Sequence, residues 1–365
     1  LEILVGWPLE ISIVVTAFVI GFYTFSGGLS AVVFTDTIQY FLLVAGSLTI
    51  VIVGLVRVGG ISGLAEAVQA AGGEGRENFF DLILPADTKT PFPWTGILFG
   101  LTFVMANAYM IGNQKIVQRC LAAKNEWHAK ASMVWGAFLK MFIPVLVLVP
   151  GLIAIAVRSD LEDGDQAMPM LIRLLLPPGL RGLLLAAFLA GLMSSIDSML
   201  NSTATLWTKD IYEKFIRKGA SDRHYLIVGR CATVALLILG VVTSPVSSYF
   251  ERIYVAVQTF LSFFQGPVFS ILLLGMFWRR TTQWGGLAGL VGGMAASALF
   301  YILHSIFQPV GGFFTIADPF LYVSWWSFVV GVLLTALVSL LTRPYTTDHL
   351  RGLVYGLPQL DEPPK

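Results

Sequence analysis

Hydrophobic and polar positions alternate along this chain in long blocks: extended apolar runs separated by short polar connections. A bilayer core of about 30 Å needs roughly 20 apolar residues in a helix that rises about 1.5 Å per residue. Nine stretches approach or exceed that length, at about 9–24, 31–56, 95–117, 131–157, 183–206, 226–247, 253–278, 285–306 and 324–342. They do not alternate polar with apolar residues, so they predict helices and not barrel strands. The first is short and reads as the end of a longer helix, and Gly27-Gly28 after it reads as a tight connection to the second. Two longer connections, about 57–94 and 158–182, contain moderately apolar stretches, Ile61–Ala71 and Met168–Leu176, each expected as a short helix over the outer face. The polar, Pro-containing tail after Arg343 predicts no element.

Composition agrees with this pattern and narrows it. Of 365 residues, 56% are hydrophobic and 12% charged, against about 25% charged in an ordinary soluble domain. The mean hydropathy is +0.77. So few charges cannot clothe a water-soluble surface, and disordered chains are poorer in aromatics and richer in charge. A net charge of +1 removes any global argument for nucleic-acid binding. A multi-pass membrane protein follows, expected in an inner or plasma membrane.

One set of alternate loops, with the tail, carries thirteen Lys and Arg residues and is expected to be cytoplasmic; the other carries seven, together with the acidic group Asp160, Glu162, Asp163 and Asp165. Trp7, Trp94, Trp127, Trp207, Trp278, Trp284, Trp325 and Trp326 fall near run ends, where an aromatic belt would lie. Cys120 and Cys231 are too few for a disulfide framework. The chain opens on Leu1 with no charged leader, which suggests that it begins inside a longer protein.

Ionisable groups inside an apolar run are costly and face a partner or a cavity. Asp36, Lys115 and Lys140 stand out. Lys140, the tenth residue of its run, falls near the midplane, too deep to snorkel. It serves either a ligand or a buried carboxylate. Lys115, near a helix end, reads as snorkelling. Asp36 either joins a site or braces a neighbouring helix. In the run around Ala190–Thr205, Gly191, Ser194, Ser195, Ser198 and Ser202 share one helical face, with Asn201 at its border and Asp197 further off. Such a face suits close helix packing and a hard-cation site equally well. Gln258 precedes Gly266-Pro267, which either interrupts the helix beside a cavity or merely kinks it. No histidine pair has metal-ligand spacing, and there is no HExxH, GxSxG or P-loop. A protease, an ATP-driven pump or a redox enzyme would need an equivalent, so the expectation is a transporter that uses an existing gradient and not an enzyme.

Four stretches carry a family resemblance: Tyr23-Thr-Phe-Ser-Gly-Gly-Leu-Ser-Ala-Val-Val-Phe-Thr-Asp-Thr-Ile-Gln39, Ile116-Val-Gln-Arg-Cys-Leu-Ala-Ala-Lys-Asn125, Met193-Ser-Ser-Ile-Asp-Ser-Met-Leu-Asn-Ser-Thr-Ala-Thr205 with Lys209-Asp-Ile-Tyr212, and Phe277-Trp-Arg-Arg280. Together, in consistent order over about residues 9–340, they resemble the sodium/solute symporter family, most closely the sodium/glucose and sodium/galactose cotransporters. The resemblance implies an all-α, five-plus-five inverted-repeat fold of the leucine-transporter type. Residues 1–57 would end the first repeat as core helices four and five, 58–94 would be an external loop, and 95–278 the second repeat. Residues 279–342 would be peripheral helices and 343–365 a cytoplasmic tail, with the first three core helices absent from the chain.

The resemblance also implies roles. Gly191, Ser194 and Ser195 match the principal sodium site; Asp36 and Ser198 match a second one, with Asp197 standing where relatives using that site commonly carry Ser or Thr. Lys140 and Gln258 match sugar contacts, and Tyr109 matches the aromatic residue closing the inner side of the sugar pocket. A further polar sugar contact falls on Ala106, with Asn107 beside it. The implied activity is Na+-driven sugar symport, with Na+ and a small sugar as partners and no nucleic acid. The alternatives are another solute of the same family (a carboxylate, sialic acid or an amino acid) and a membrane sensor or structural fragment that does not transport.

Overall fold

The computed structural model describes residues 6–71, 79–81, 83–88, 90–158, 164–249, 253–307, 314 and 318–357; for residues 23, 25–31, 165, 247–249 and 253 it describes the backbone alone. The acidic residues Asp160, Glu162 and Asp163, the side chain of Asp165, the side chains of Gly27-Gly28-Leu29 and the tail beyond Leu357 lie outside the described residues. In chain order the helices are α1 (Leu9–Val58), α2 (Gly60–Ala70), α3 (Gly96–Gly112), α4 (Gln114–Leu121), α5 (Glu126–Lys140), α6 (Ile143–Val157), α7 (Ala167–Leu175), α8 (Pro178–Ile216), α9 (Asp222–Thr243), α10 (Ile253–Phe277), α11 (Gln283–Phe307), α12 (Phe320–Leu341) and α13 (Thr347–Leu350). No strand occurs among the described residues. Among the described residues, seven helical stretches are long and apolar enough to cross a membrane, eight if the bent pair α3–α4 counts as one, and Leu9–Phe22 is a shorter apolar segment at the start of α1. The chain is a multi-pass membrane protein, divided into two compact units: residues 1–80 with 118–249, and 81–117 with 250–365.

In the first unit, α1 runs unbroken for 50 residues, so Gly27-Gly28 is not the expected connection. Glycine in a helix interior costs about 1 kcal/mol relative to alanine but removes no backbone donor, and no proline lies between Leu9 and Val58. The helix stops instead at Gly59 and Gly60, whose φ values of 86° and 81° are open to glycine. Gly59 N–H closes the last turn on Leu55 O. Both short helices expected in the long connections exist, as α2 and α7. Leu64 and Val68 of α2 and Met170, Leu171 and Ile172 of α7 join Ile50, Ile153, Ala154 and Leu184 in one buried cluster.

Helices α1 and α8 pack antiparallel at close range: a β-carbon on Gly46 would lie 3.0 Å from that of Ala187, and one on Gly191 would lie 2.9 Å from Leu43 Cδ1. The expected run 131–157 is divided between α5 and α6 by a turn at Met141-Phe142. Pro144 causes it locally, since it has no N–H to offer the carbonyl of Lys140, four residues back.

The second unit is built on small residues. Gly285, Gly289, Gly293 and Ser297 form a buried stripe on α11, against the buried Ser327, Gly331, Thr335 and Ser339 of α12. In lipid, where apolar side chains gain little from leaving one hydrocarbon for another, such stripes let backbones approach and gain dispersion contacts. The described part of the tail is ordered, contrary to expectation. Thr346 caps α13, Tyr355 N–H donates to Met276 O at 2.8 Å, and Arg280 Nη2 donates to Leu340 O at 3.1 Å and Thr342 O at 2.8 Å. Tail and arginine thus satisfy carbonyls that the ends of α10 and α12 leave without helical partners.

Candidate functional site

The residues matched to sodium gather in the first unit, on α8 and the facing turn of α1. Asp197 is fully buried and Ser198 nearly so. Ser198 Oγ lies 2.7 Å from Ser194 O and 3.3 Å from Asp197 Oδ1. Arg119 Nη2, arriving from α4, donates to Ser198 Oγ at 2.5 Å and also to Asp36 Oδ2. Asp36 therefore braces a neighbouring helix, one of the two roles its position allowed, and it does so within the residue set matched to a second sodium ion. Near this contact on α1, Asp36 Oδ1 and, one turn on, Gln39 Oε1 are buried without a hydrogen-bond partner among the described residues.

The α8 face divides along its length. Gly191 packs against Leu43, which is helix contact. Ser194 is half-buried and Ser195 exposed. Oxygen donors of hydroxyl and carbonyl type suit a hard monovalent ion. Among the described residues no three His, Cys, Asp or Glu side chains gather as a metal cluster.

The residues matched to sugar fall in both units. Lys140 ends α5 in the first unit, with its side chain exposed. Tyr109 on α3 and Gln258 on α10, both half-buried, belong to the second. Gln258 Nε2 donates to Tyr254 Oη at 3.0 Å, and the Tyr254 ring leans on Phe92 at 6.3 Å. Asn107 spends its amide on the backbone: Nδ2 donates to Phe103 O at 2.8 Å and Thr102 O at 3.2 Å. Those carbonyls end the π-helical stretch Gly96–Met105, whose wider turns leave acceptors to satisfy where the α-helix resumes.

The helix break lies away from Gly266-Pro267. Helix α10 continues through both residues, and the carbonyl that Pro267 leaves without an amide donor, Phe263 O, shares the Ser297 hydroxyl of α11 (3.3 Å) with Gly293 O of that helix (3.2 Å). The break is at Asn113, extended at φ −86° and ψ 113°, where α3 and α4 meet at a bend of 49°. Asn113 Oδ1 accepts the Lys115 N–H at 3.0 Å. The Gly112-Asn113 pair was the available signal, since both residue types favour helix ends. Arg119, Gln39 and Tyr254 were not singled out from the sequence. A carboxylate inside an apolar run calls for a cation, and Arg119 was within reach of that argument.

A family profile described as "Sodium:solute symporter family" matches residues 1–293. The chain is 33% identical over 382 residues to the "Sodium/mannose cotransporter SLC5A10" of Bos taurus, covering 96% of this chain and 64% of that protein. It is 34% identical over 356 residues to the sodium/glucose cotransporter of Vibrio parahaemolyticus, covering 90% and 63%. With the sodium/myo-inositol cotransporter of Homo sapiens it shares 32% over 394 residues, covering 96% and 55%. The chain thus spans between about half and two thirds of the length of these relatives. Among solved structures, a substrate-bound, outward-open Na+-coupled sialic acid symporter superposes with a TM-score of 0.73 at 21% identity, over 94% of this chain and 69% of that one. That likeness establishes the fold. With the profile running through most of the chain, from α1 into α11, the chain belongs to the sodium:solute symporter family.

Proposed function

We propose that the protein carries out secondary-active symport of a hexose-like sugar, driven by the sodium gradient, through alternating access in an inner or plasma membrane. The observation that carries this reading is the kinship with cotransporters named for glucose, mannose and myo-inositol, polyhydroxylated solutes to which Lys140 and Gln258 offer charged and amide donors. Ser194 and Ser195, with the backbone of Gly191, hold the driving Na+. Tyr109 lends a ring face to the sugar and closes it from the inner side. Residues 1–57 complete the first of two inverted repeats and 95–278 form the second, followed by peripheral helices at 279–342 and a cytoplasmic tail.

The energetics suffice. One Na+ crossing the field contributes about 2.3 kcal/mol per 100 mV, and a tenfold sugar gradient costs about 1.4 kcal/mol. Proteoliposome uptake of labelled glucose against labelled carboxylates, with and without a Na+ gradient, tests the reading. Sodium-dependent hexose uptake that Lys140→Ala abolishes is expected. Uptake by that variant at the wild-type rate overturns the sugar assignment.

A further inference from the structure

Three long apolar helices of the second unit meet at one level: α10 stops at Phe277, α11 begins at Gln283 and α12 stops at Leu341. Thr282 Oγ1 lies 2.7 Å from Thr342 Oγ1, and Tyr355 N–H reaches Met276 O at 2.8 Å. That level marks the edge of the hydrocarbon, where lipid phosphates lie. The tail folds back there and leaves a groove of about 280 Å³ against the helix ends. Trp278 and Gln283 line it from the helices, and Tyr345 and His349, their rings stacked at 4.6 Å, line it from the tail. Leu350 and Val354, both buried, add an apolar lining.

The charge around the groove is one-sided. Residues 275–285 and 341–357 hold four arginines and one carboxylate, Asp348. Arg351 is paired with Asp348 at 3.1 Å, and Arg280 Nη2 is spent on carbonyls of Leu340 and Thr342. Arg279, next to Trp278, and Arg343, next to Thr342, are exposed and belong to no ion pair among the described residues. The positive end of the α11 dipole, at Gln283, adds to this field.

We propose that the groove holds the phosphate headgroup of an anionic glycerophospholipid from the adjoining leaflet, with Arg279 and Arg343 at its mouth. A lipid meets both halves of the site, its phosphate the arginines and its glycerol backbone the apolar lining. The site lies apart from the residues matched to sodium and sugar and does not depend on that reading.

The test is the melting temperature of the full-length protein in neutral detergent, titrated with short-chain phosphatidylglycerol, phosphatidylcholine or glycerol 3-phosphate. Only phosphatidylglycerol is expected to give a saturable rise. Gly275 lines the groove, and a β-carbon there meets nothing within 4 Å, as is also true of Gly240 on α9. Gly275→Leu is expected to abolish the rise and Gly240→Leu to keep it. Arg279→Gln with Arg343→Gln, both at exposed positions, is expected to weaken the apparent affinity about thirtyfold, each arginine near an anionic lipid being worth about fivefold. An equal rise with phosphatidylcholine or glycerol 3-phosphate overturns the proposal, as does an undiminished response in the arginine double variant. Should Gly275→Leu fail to fold, the arginine variant decides alone.

Discussion

Gln258 and Tyr254 are joined along one face of α10, with Gln258 Nε2 donating to the tyrosine hydroxyl at 3.0 Å. One of the amide's two N–H groups is therefore committed, which leaves one N–H and the carbonyl oxygen for the sugar contact that the proposed function assigns to Gln258. The tyrosine fixes how that amide is presented.

Tyr254→Phe removes the bond while keeping the ring against Phe92. A neutral hydrogen bond of this kind is worth about 0.5–1.5 kcal/mol. The variant is expected to raise the KM for hexose about 2- to 12-fold with little change in kcat. Gln258→Ala is expected to cost more in the same assay, because it removes the ligand-facing groups as well. Equal KM values for Tyr254→Phe and wild type would mean that the tyrosine does not orient the amide.

Ser195 is exposed on α8, so its hydroxyl can be removed without opening a cavity. Ser195→Ala is expected to raise the Na+ concentration for half-maximal uptake about tenfold, roughly the 1.4 kcal/mol of one lost oxygen contact, and to leave the melting temperature in detergent unchanged. Unaltered sodium dependence would make the hydroxyl face a packing surface.

Ser297 reaches from α11 to the carbonyl that Pro267 leaves without a helical donor. Ser297→Ala is expected to destabilise the protein by about 1 kcal/mol, read as a lower melting temperature. In a Pro267→Ala background, where the restored backbone N–H can bond Phe263 O, the same change is expected to cost less. Additive losses in this cycle would show that the two residues are not coupled.

A β-carbon on Gly289 would overlap the Thr335 hydroxyl and lie 2.8 Å from Gly331 O, whereas one on Gly286 would meet nothing within 4 Å. Gly289→Ala is expected to destabilise by about 1–3 kcal/mol. Gly286→Ala is expected to be neutral or slightly stabilising. Thr335→Ala should recover only part of the Gly289→Ala loss, because the backbone oxygen remains. Thermal unfolding of the three variants and wild type checks the order.

The spans were legible in the sequence because hydrocarbon solvates long apolar helices and little else, and α2 and α7 because a moderately apolar stretch in a long connection needs something to pack on. What escaped was tertiary. Gly27-Gly28 reads as a connection by local preference, yet nothing there removes a backbone donor. Pro267 reads as a possible break, yet a serine on the following helix supplies the missing donor. Asp36, Ser198 and Lys140 could be singled out as polar groups in apolar runs. That Arg119 would bridge the first two depends on how α4 leaves the bend at Asn113, which no window of neighbouring residues encodes.

The glycine stripe on α11 has a mechanical corollary. Dragged out of a bilayer by its tail, a bundle of loosely packed helices surrenders them one by one. Here α12 sits with the Ser339 and Thr335 side chains lodged against Gly285 and Gly289, so it cannot slide without lifting α11. A cantilever pulling on the C-terminus should register the two as a single rupture, at a force set by their shared seam and not by either helix alone.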